Sequence, residues 1–185
     1  MNIKSVTVDI PTNTKCVNNI SSSRIIKPNE SKHRAVTQDS SWIFSNEELS
    51  YNNQKLYIAE MKTGDIIHDD ICVVISKQIA NKISGYRSQD IKKKMYCPND
   101  LIDKNYVIDL LDKSGLNCYY CKQPVHVLYK KVRDPLQWTL DRIDNSIGHN
   151  INNVEISCLK CNVGRKTMDQ ARYTFTKQLV IVKNS

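Results

Sequence analysis

Four of the chain's seven cysteines fall in two pairs, Cys118-Tyr-Tyr-Cys121 and Cys158-Leu-Lys-Cys161. A C-x2-C turn presents two thiolates from one side, and two such turns complete the tetrahedral shell that zinc prefers. A filled shell leaves no open position for water, so this Zn2+ is expected to support folding and to take no part in chemistry. The 36 residues between the pairs exceed the roughly 15–20 of a simple zinc ribbon, so the knuckles enclose a structured insert. Cys16, Cys72 and Cys97 are isolated and read as ordinary thiols, because an odd count in a reduced compartment argues for ligands over disulfides.

The insert runs from Trp138 through Asp141, Arg142, Asp144, His149 and Asn153 to Cys158, with Asn162, Arg165 and Lys166 just beyond. Residues 138–143 and 154–157 are rich in β-formers and flank a polar, Gly-containing loop, after which the β pattern stops. A hairpin followed by a helix fits. Cleaving a phosphodiester requires an activated water, charge stabilisation on the phosphoryl oxygens and help for the departing alkoxide. A hard cation such as Mg2+ or Mn2+ supplies the last two and accepts few protein oxygens, so one carboxylate and one amide suffice.

On these residues the stretch resembles the HNH endonucleases, members of the ββα-metal or His-Me finger group. The likeness covers roughly residues 115–170, with the paired knuckles and Cys-x-x-Cys-Asn looking most like the zinc-bound subgroup of phage junction-resolving endonucleases. It implies that Asp141 and Asn162 hold the catalytic cation, that Asn153 orients the hairpin loop, and that products carry 5′-phosphate and 3′-hydroxyl ends. One departure stands out, because Arg142 occupies the place of the family's catalytic His and a guanidinium cannot accept a proton near neutral pH. His149 is the first replacement base and His126 the second, while Asp144 is a further candidate for holding metal or water. Arg142 would then clamp phosphate, and Arg165 and Lys166 would grip the phosphate beside the scissile one.

Charge supports a nucleic-acid partner, and on the endonuclease reading DNA is expected over RNA. The net +8 is not spread evenly: residues 1–70 hold 8 Lys+Arg against 9 Asp+Glu, and residues 71–185 hold 19 against 10. A basic field confined to one region is what attraction to a phosphate backbone needs. No apolar run approaches the roughly 20 residues of a membrane span, and the first ten residues lack a signal-peptide core. A soluble intracellular chain without a membrane partner is expected.

The elements that position these residues follow from period and punctuation. Residues 1–53 are polar and expected to be largely irregular, with Trp42, Ile43 and Phe44 either docking as an anchor or lying in an exposed tail. Residues 55–61 suggest a strand closed by a turn at Thr63-Gly64-Asp65. Asp69 and Asp70 open a helix carrying Ile71, Ile75, Ile79 and Ile83, expected to end at Gly85. Beyond it Arg87, Lys92 and Lys93, with Lys94 and Tyr86, form a basic run suited either to a phosphate backbone or to a solvated helix end. Asp103 caps a second helix that stops at Lys113-Ser114-Gly115, and residues 174–182 close the core as a helix or a strand. The whole is an α+β fold with an N-terminal region of 1–53, a mostly helical basic segment of 54–114 and a zinc-clamped ββα module of 115–185. The functional expectation is an HNH-type DNA endonuclease; the alternatives are a catalytically silent nucleic-acid-binding module and a subunit of a larger assembly.

Overall fold

The computed structural model describes residues 43–179; Cys16, Trp42 and most of the expected irregular region lie outside them. Among the described residues the fold is α+β. Five helices, α1 (Tyr51–Thr63), α2 (Asp69–Lys92), α3 (Lys104–Lys113), α4 (Leu159–Arg165) and α5 (Gln170–Gln178), surround one two-stranded sheet of β1 (Trp138–Arg142) and β2 (Val154–Cys158). No helix among them is long and apolar enough to cross a membrane.

The strand expected at residues 55–61 is instead the body of α1. Gln54, Tyr57, Ile58 and Glu60 are its buried positions, and the three- and four-residue steps from Gln54 to Tyr57 and Ile58 and from Tyr57 to Glu60 are ones a strand cannot turn to one side. Ser50 caps the first turn by accepting from the Asn53 N–H, and Gly64, at φ 86°, closes the last. The helix therefore begins before residue 53, and Phe44 upstream of it is already part of the core while Ile43 is exposed. Gln54 is buried, and its amide oxygen accepts from the Val127 and Leu128 N–H groups at 2.8 and 2.9 Å, tying α1 to the segment that follows the first knuckle.

Helix α2 does not end at Gly85; it continues seven residues further. Its apolar stripe, Ile75 and Ile79 above all, is buried in the core. A second stripe explains the continuation. Gln78, Lys82, Tyr86 and Asp90 recur every four residues and meet the Trp138 indole N–H, the Trp138 carbonyl, the Leu140 N–H and the His149 N–H in turn. These contacts along β1 and its loop hold the helix straight across a glycine that costs only about 1 kcal/mol. Asp103 caps α3 through the Tyr106 N–H, and the turn after it uses Gly115 at φ 58°, as the sequence suggests.

Strands β1 and β2 pair antiparallel with Trp138 opposite Cys158, Leu140 opposite Ile156 and Asp141 opposite Glu155. Trp138, Leu140 and Ile156 are buried, so this face of the hairpin completes the core beneath the helices. The closing element left open between helix and strand is helix α5, capped by Asp169; residues 180–182 lie outside the described residues.

Candidate functional site

The two knuckles meet. The Sγ atoms of Cys118, Cys121, Cys158 and Cys161 all lie within 4.8 Å of one another, and Cys121 and Cys158 are 3.9 Å apart. Zinc–thiolate bonds of about 2.3 Å in a tetrahedron place sulfurs about 3.8 Å apart, so the four donors fit one metal ion. The first knuckle is anchored to β2 by the Tyr119 N–H, which donates to the Ile156 carbonyl at 2.8 Å, and the second is the start of α4, whose N-cap is Cys158 itself. Crowding drives the thiols apart in acidity: hydrogen bonding from Cys158 pulls Cys118 down, the same contact pushes Cys158 up, and burial pushes Cys161 up. A cation at their centre is what lets all four be thiolates together.

Beside this clamp, a polar groove of about 350 Å3 gathers side chains from four parts of the chain. Asp141 and Arg142 come from β1, His149 from the hairpin loop, Asn162 and Lys166 from α4 and its end, and Lys93 from the end of α2. Asn162 lies one residue after Cys161, so the clamp sets its height on the helix. Its amide nitrogen donates to the Leu140 carbonyl at 3.0 Å and to the Thr139 hydroxyl at 3.1 Å. A carbonyl can only accept, which fixes the amide and leaves the Asn162 oxygen for a ligand.

Asp141 is buried and does not pair with its neighbour Arg142. Its Oδ2 accepts from the Tyr120 hydroxyl at 2.5 Å and from Arg165 Nη1 at 2.9 Å. Tyr120 sits inside the first C-x2-C; burial and then Asp141 push its hydroxyl well above the ordinary tyrosine range, so it stays a donor. Arg165 corrects an expectation. It is only 1 % exposed and donates to the carbonyls of Arg142, Ile143 and Met168 as well as to Asp141, so it staples the end of β1 and cannot reach a bound phosphate. Lys166, its neighbour, is exposed on the groove.

The loop between the strands is held from inside. Asn153 accepts from the Asp144 N–H and donates to the Asp144 and Gly148 carbonyls, closing the loop with one side chain. Arg142 donates to the Asn145 and Ile147 carbonyls at 3.2 and 3.0 Å, so part of the guanidinium serves the loop rather than a phosphate. Asp144 is exposed and turned to Ser146, whose hydrogen bonds hold its carboxyl below the usual range; it is not among the groove residues.

His149 is buried at the groove, its ring stacked on Tyr86 with centroids 4.3 Å apart. Nδ1 lies 2.9 Å from Asp90 Oδ1 and its backbone N–H donates to Asp90 Oδ2 at 2.7 Å. Burial, helped by Arg142 and Lys93, outweighs Asp90 and lowers its pKa below the ordinary histidine value. His126 pairs loosely with Asp134 at 3.9 Å and lies outside the groove, as do Arg87, set over the Tyr96 ring, and the exposed Lys92. Asp90 and Tyr120 are site residues that sequence reasoning misses, and Tyr86, read in sequence as the aromatic member of a basic run, packs instead under His149. The four-residue repeat of Gln78, Lys82, Tyr86 and Asp90 is the available signal for Asp90. Compared with known proteins, the chain matches no family model, no curated protein and no solved structure.

Proposed function

We propose that this chain is a metal-dependent endonuclease of the HNH type that hydrolyses phosphodiester bonds in DNA, with a structural zinc in its four-cysteine clamp. The observation that carries the reading is the convergence in one groove of Asp141 from β1, Asn162 from α4 and His149 from the loop between the strands, with Lys93, Arg142 and Lys166 around them. Hard oxygen donors suit Mg2+ or Mn2+: Asp141 keeps Oδ1 beyond its contacts to Tyr120 and Arg165, and Asn162 keeps its amide oxygen. When bound, such a cation stabilises charge on the phosphoryl oxygens and the departing alkoxide. His149 takes the proton of the attacking water, a task Arg142 cannot perform. Lys93 and Lys166 bind the phosphates on either side, and Asn153 keeps the loop that carries His149 closed.

Plasmid nicking with Mg2+ or Mn2+ tests this directly. Wild type should nick, and Asp141→Asn, which keeps the shape beside Tyr120 and Arg165, should lose more than about 100-fold with the zinc content unchanged. A second reading, a catalytically silent DNA-binding module, is favoured by one contact: Arg165 already neutralises Asp141. Salt-sensitive DNA binding by wild type with no metal-dependent nicking would establish that reading instead.

A further inference from the structure

Asp90 has no exposure at all, yet it lies on α2, some 50 residues before the strand that carries Asp141. Both its oxygens serve one residue, Oδ1 the ring of His149 and Oδ2 the His149 backbone N–H. Burying a carboxylate costs several kcal/mol unless its partners are well placed, so stability alone would be served as well by a neutral side chain. The loop is also pressed onto it. A Cβ on Gly148 would come 2.6 Å from the Met95 carbonyl oxygen and 2.9 Å from Asp90 Oδ2, so only glycine allows the approach. Tyr86, one turn back on α2, supports the ring from beneath while its hydroxyl holds the Leu140 N–H at 3.0 Å.

From this geometry, and resting on the nuclease reading above, we infer that Asp90 is a positioning residue for the general base, so that α2 is a wall of the catalytic groove rather than a basic flank. A carboxylate can only accept, so the His149 proton sits on Nδ1 and the lone pair on Nε2 is left for water in the groove. As the ring takes a second proton, the Asp90 charge stabilises the imidazolium, the service a buried carboxylate performs in carboxylate–histidine pairs generally. The other charged or titratable groups acting on the ring are Tyr86, stacked on it, with Lys93 and Arg142, while Asp141 and Lys166 line the same groove. Burial, aided by Arg142 and Lys93, opposes protonation and Asp90 favours it, so the carboxylate offsets part of what burial takes from the ring's basicity.

The test uses the full chain with plasmid DNA and Mn2+. Asp90→Asn should lower kcat by about 100-fold or more, with DNA affinity and zinc content unchanged. Because the Asp90 charge raises the His149 pKa, its loss should also move the acid limb of the kcat profile to lower pH. Long-range 1H–15N spectra of wild type should show neutral His149 with its proton on Nδ1. A proton on Nε2, or an Asp90→Asn enzyme within about two-fold of wild type, overturns the inference while leaving the nuclease standing. Absence of metal-dependent cleavage by wild type, or full activity of Asp141→Asn, overturns both.

Discussion

The cysteine clamp and the groove beside it are built in opposite ways. Each half of the clamp is made within four residues, and its four soft donors close around one point. The groove draws on α2, β1, the hairpin loop and α4, spans residues 86–166, and leaves oxygens and an imidazole facing open space. The two are nonetheless joined. Tyr120, between the cysteines of the first knuckle, holds Asp141, and α4, which starts on Cys158, carries Asn162. A locally encoded centre thus sets the position of a groove that no local stretch encodes.

The sharpest way to break this comparison is to remove the clamp. The structural zinc proposed for it contributes an apparent ~10–16 kcal/mol in zinc-finger peptides, as much as the whole stability of an ordinary domain. Chelation, or Cys161→Ser, should therefore unfold the hairpin and α4 together and abolish the groove with them, read as loss of near-ultraviolet circular dichroism in step with metal release. No groove substitution should do this. Intact packing in the metal-free protein would show that the hairpin and helices, not the clamp, carry the fold.

Next in size is the contrast between two neighbours at the end of α4. Arg165→Ala leaves the Asp141 carboxylate buried without its cation, a loss of about 3–5 kcal/mol in urea unfolding. Lys166→Ala touches only the exposed rim and should change stability by less than about 0.5 kcal/mol. On the proposed nuclease reading its effect falls on DNA binding, where the salt slope should drop by about one unit. If Arg165→Ala unfolded at the same urea concentration as wild type, the staple at the end of β1 would carry no weight.

What can be read from the chain alone follows the same division. The cysteine pairs, the hairpin and the short helix after it are local patterns, and so is the Asp103-capped helix. Arg165 looks in sequence like a solvated or phosphate-gripping cation because its partner Asp141 lies 24 positions upstream, a separation no helical or strand period connects. Gly85 reads as a stop, yet the contacts that carry α2 past it are made to Leu140 and His149 by Tyr86 and Asp90, polar residues that resemble a solvated helix face. Residues 55–61 contain apolar side chains at both helical and strand spacings, and burial of Gln54, an unexpected inward residue, decides for the helix. Tyr120 is hidden by its place in the knuckle, where the cysteines on either side already explain the turn.

Coupling between the two regions can be probed without breaking either. Tyr120→Phe keeps the ring and both cysteines and removes one hydrogen bond to a buried carboxylate, worth about 1.5–3 kcal/mol. Zinc content should stay the same while the Mn2+ concentration needed for half-maximal cleavage rises, because Asp141 loses one of the two contacts that aim it. An unchanged Mn2+ requirement would mean that Arg165 alone orients Asp141 and that the clamp and the groove are only neighbours.

The smallest expected effect lies in the pH dependence of folding. Burial lowers the pKa of His149 in the folded chain, so the fold favours the neutral ring. Above the unfolded value, about 6.5, neither state carries the proton and the contribution is present in full. As pH falls below that value the unfolded chain binds a proton first, and stability declines until the folded ring is protonated as well. Unfolding by urea at pH 7.5 and pH 5.5 should therefore show a larger loss for wild type than for His149→Gln, whose amide has nothing to titrate. Equal losses would place the acid sensitivity elsewhere in the chain. A smaller loss for wild type would mean that Asp90 outweighs burial and holds the ring as a resting cation, which a general base cannot be.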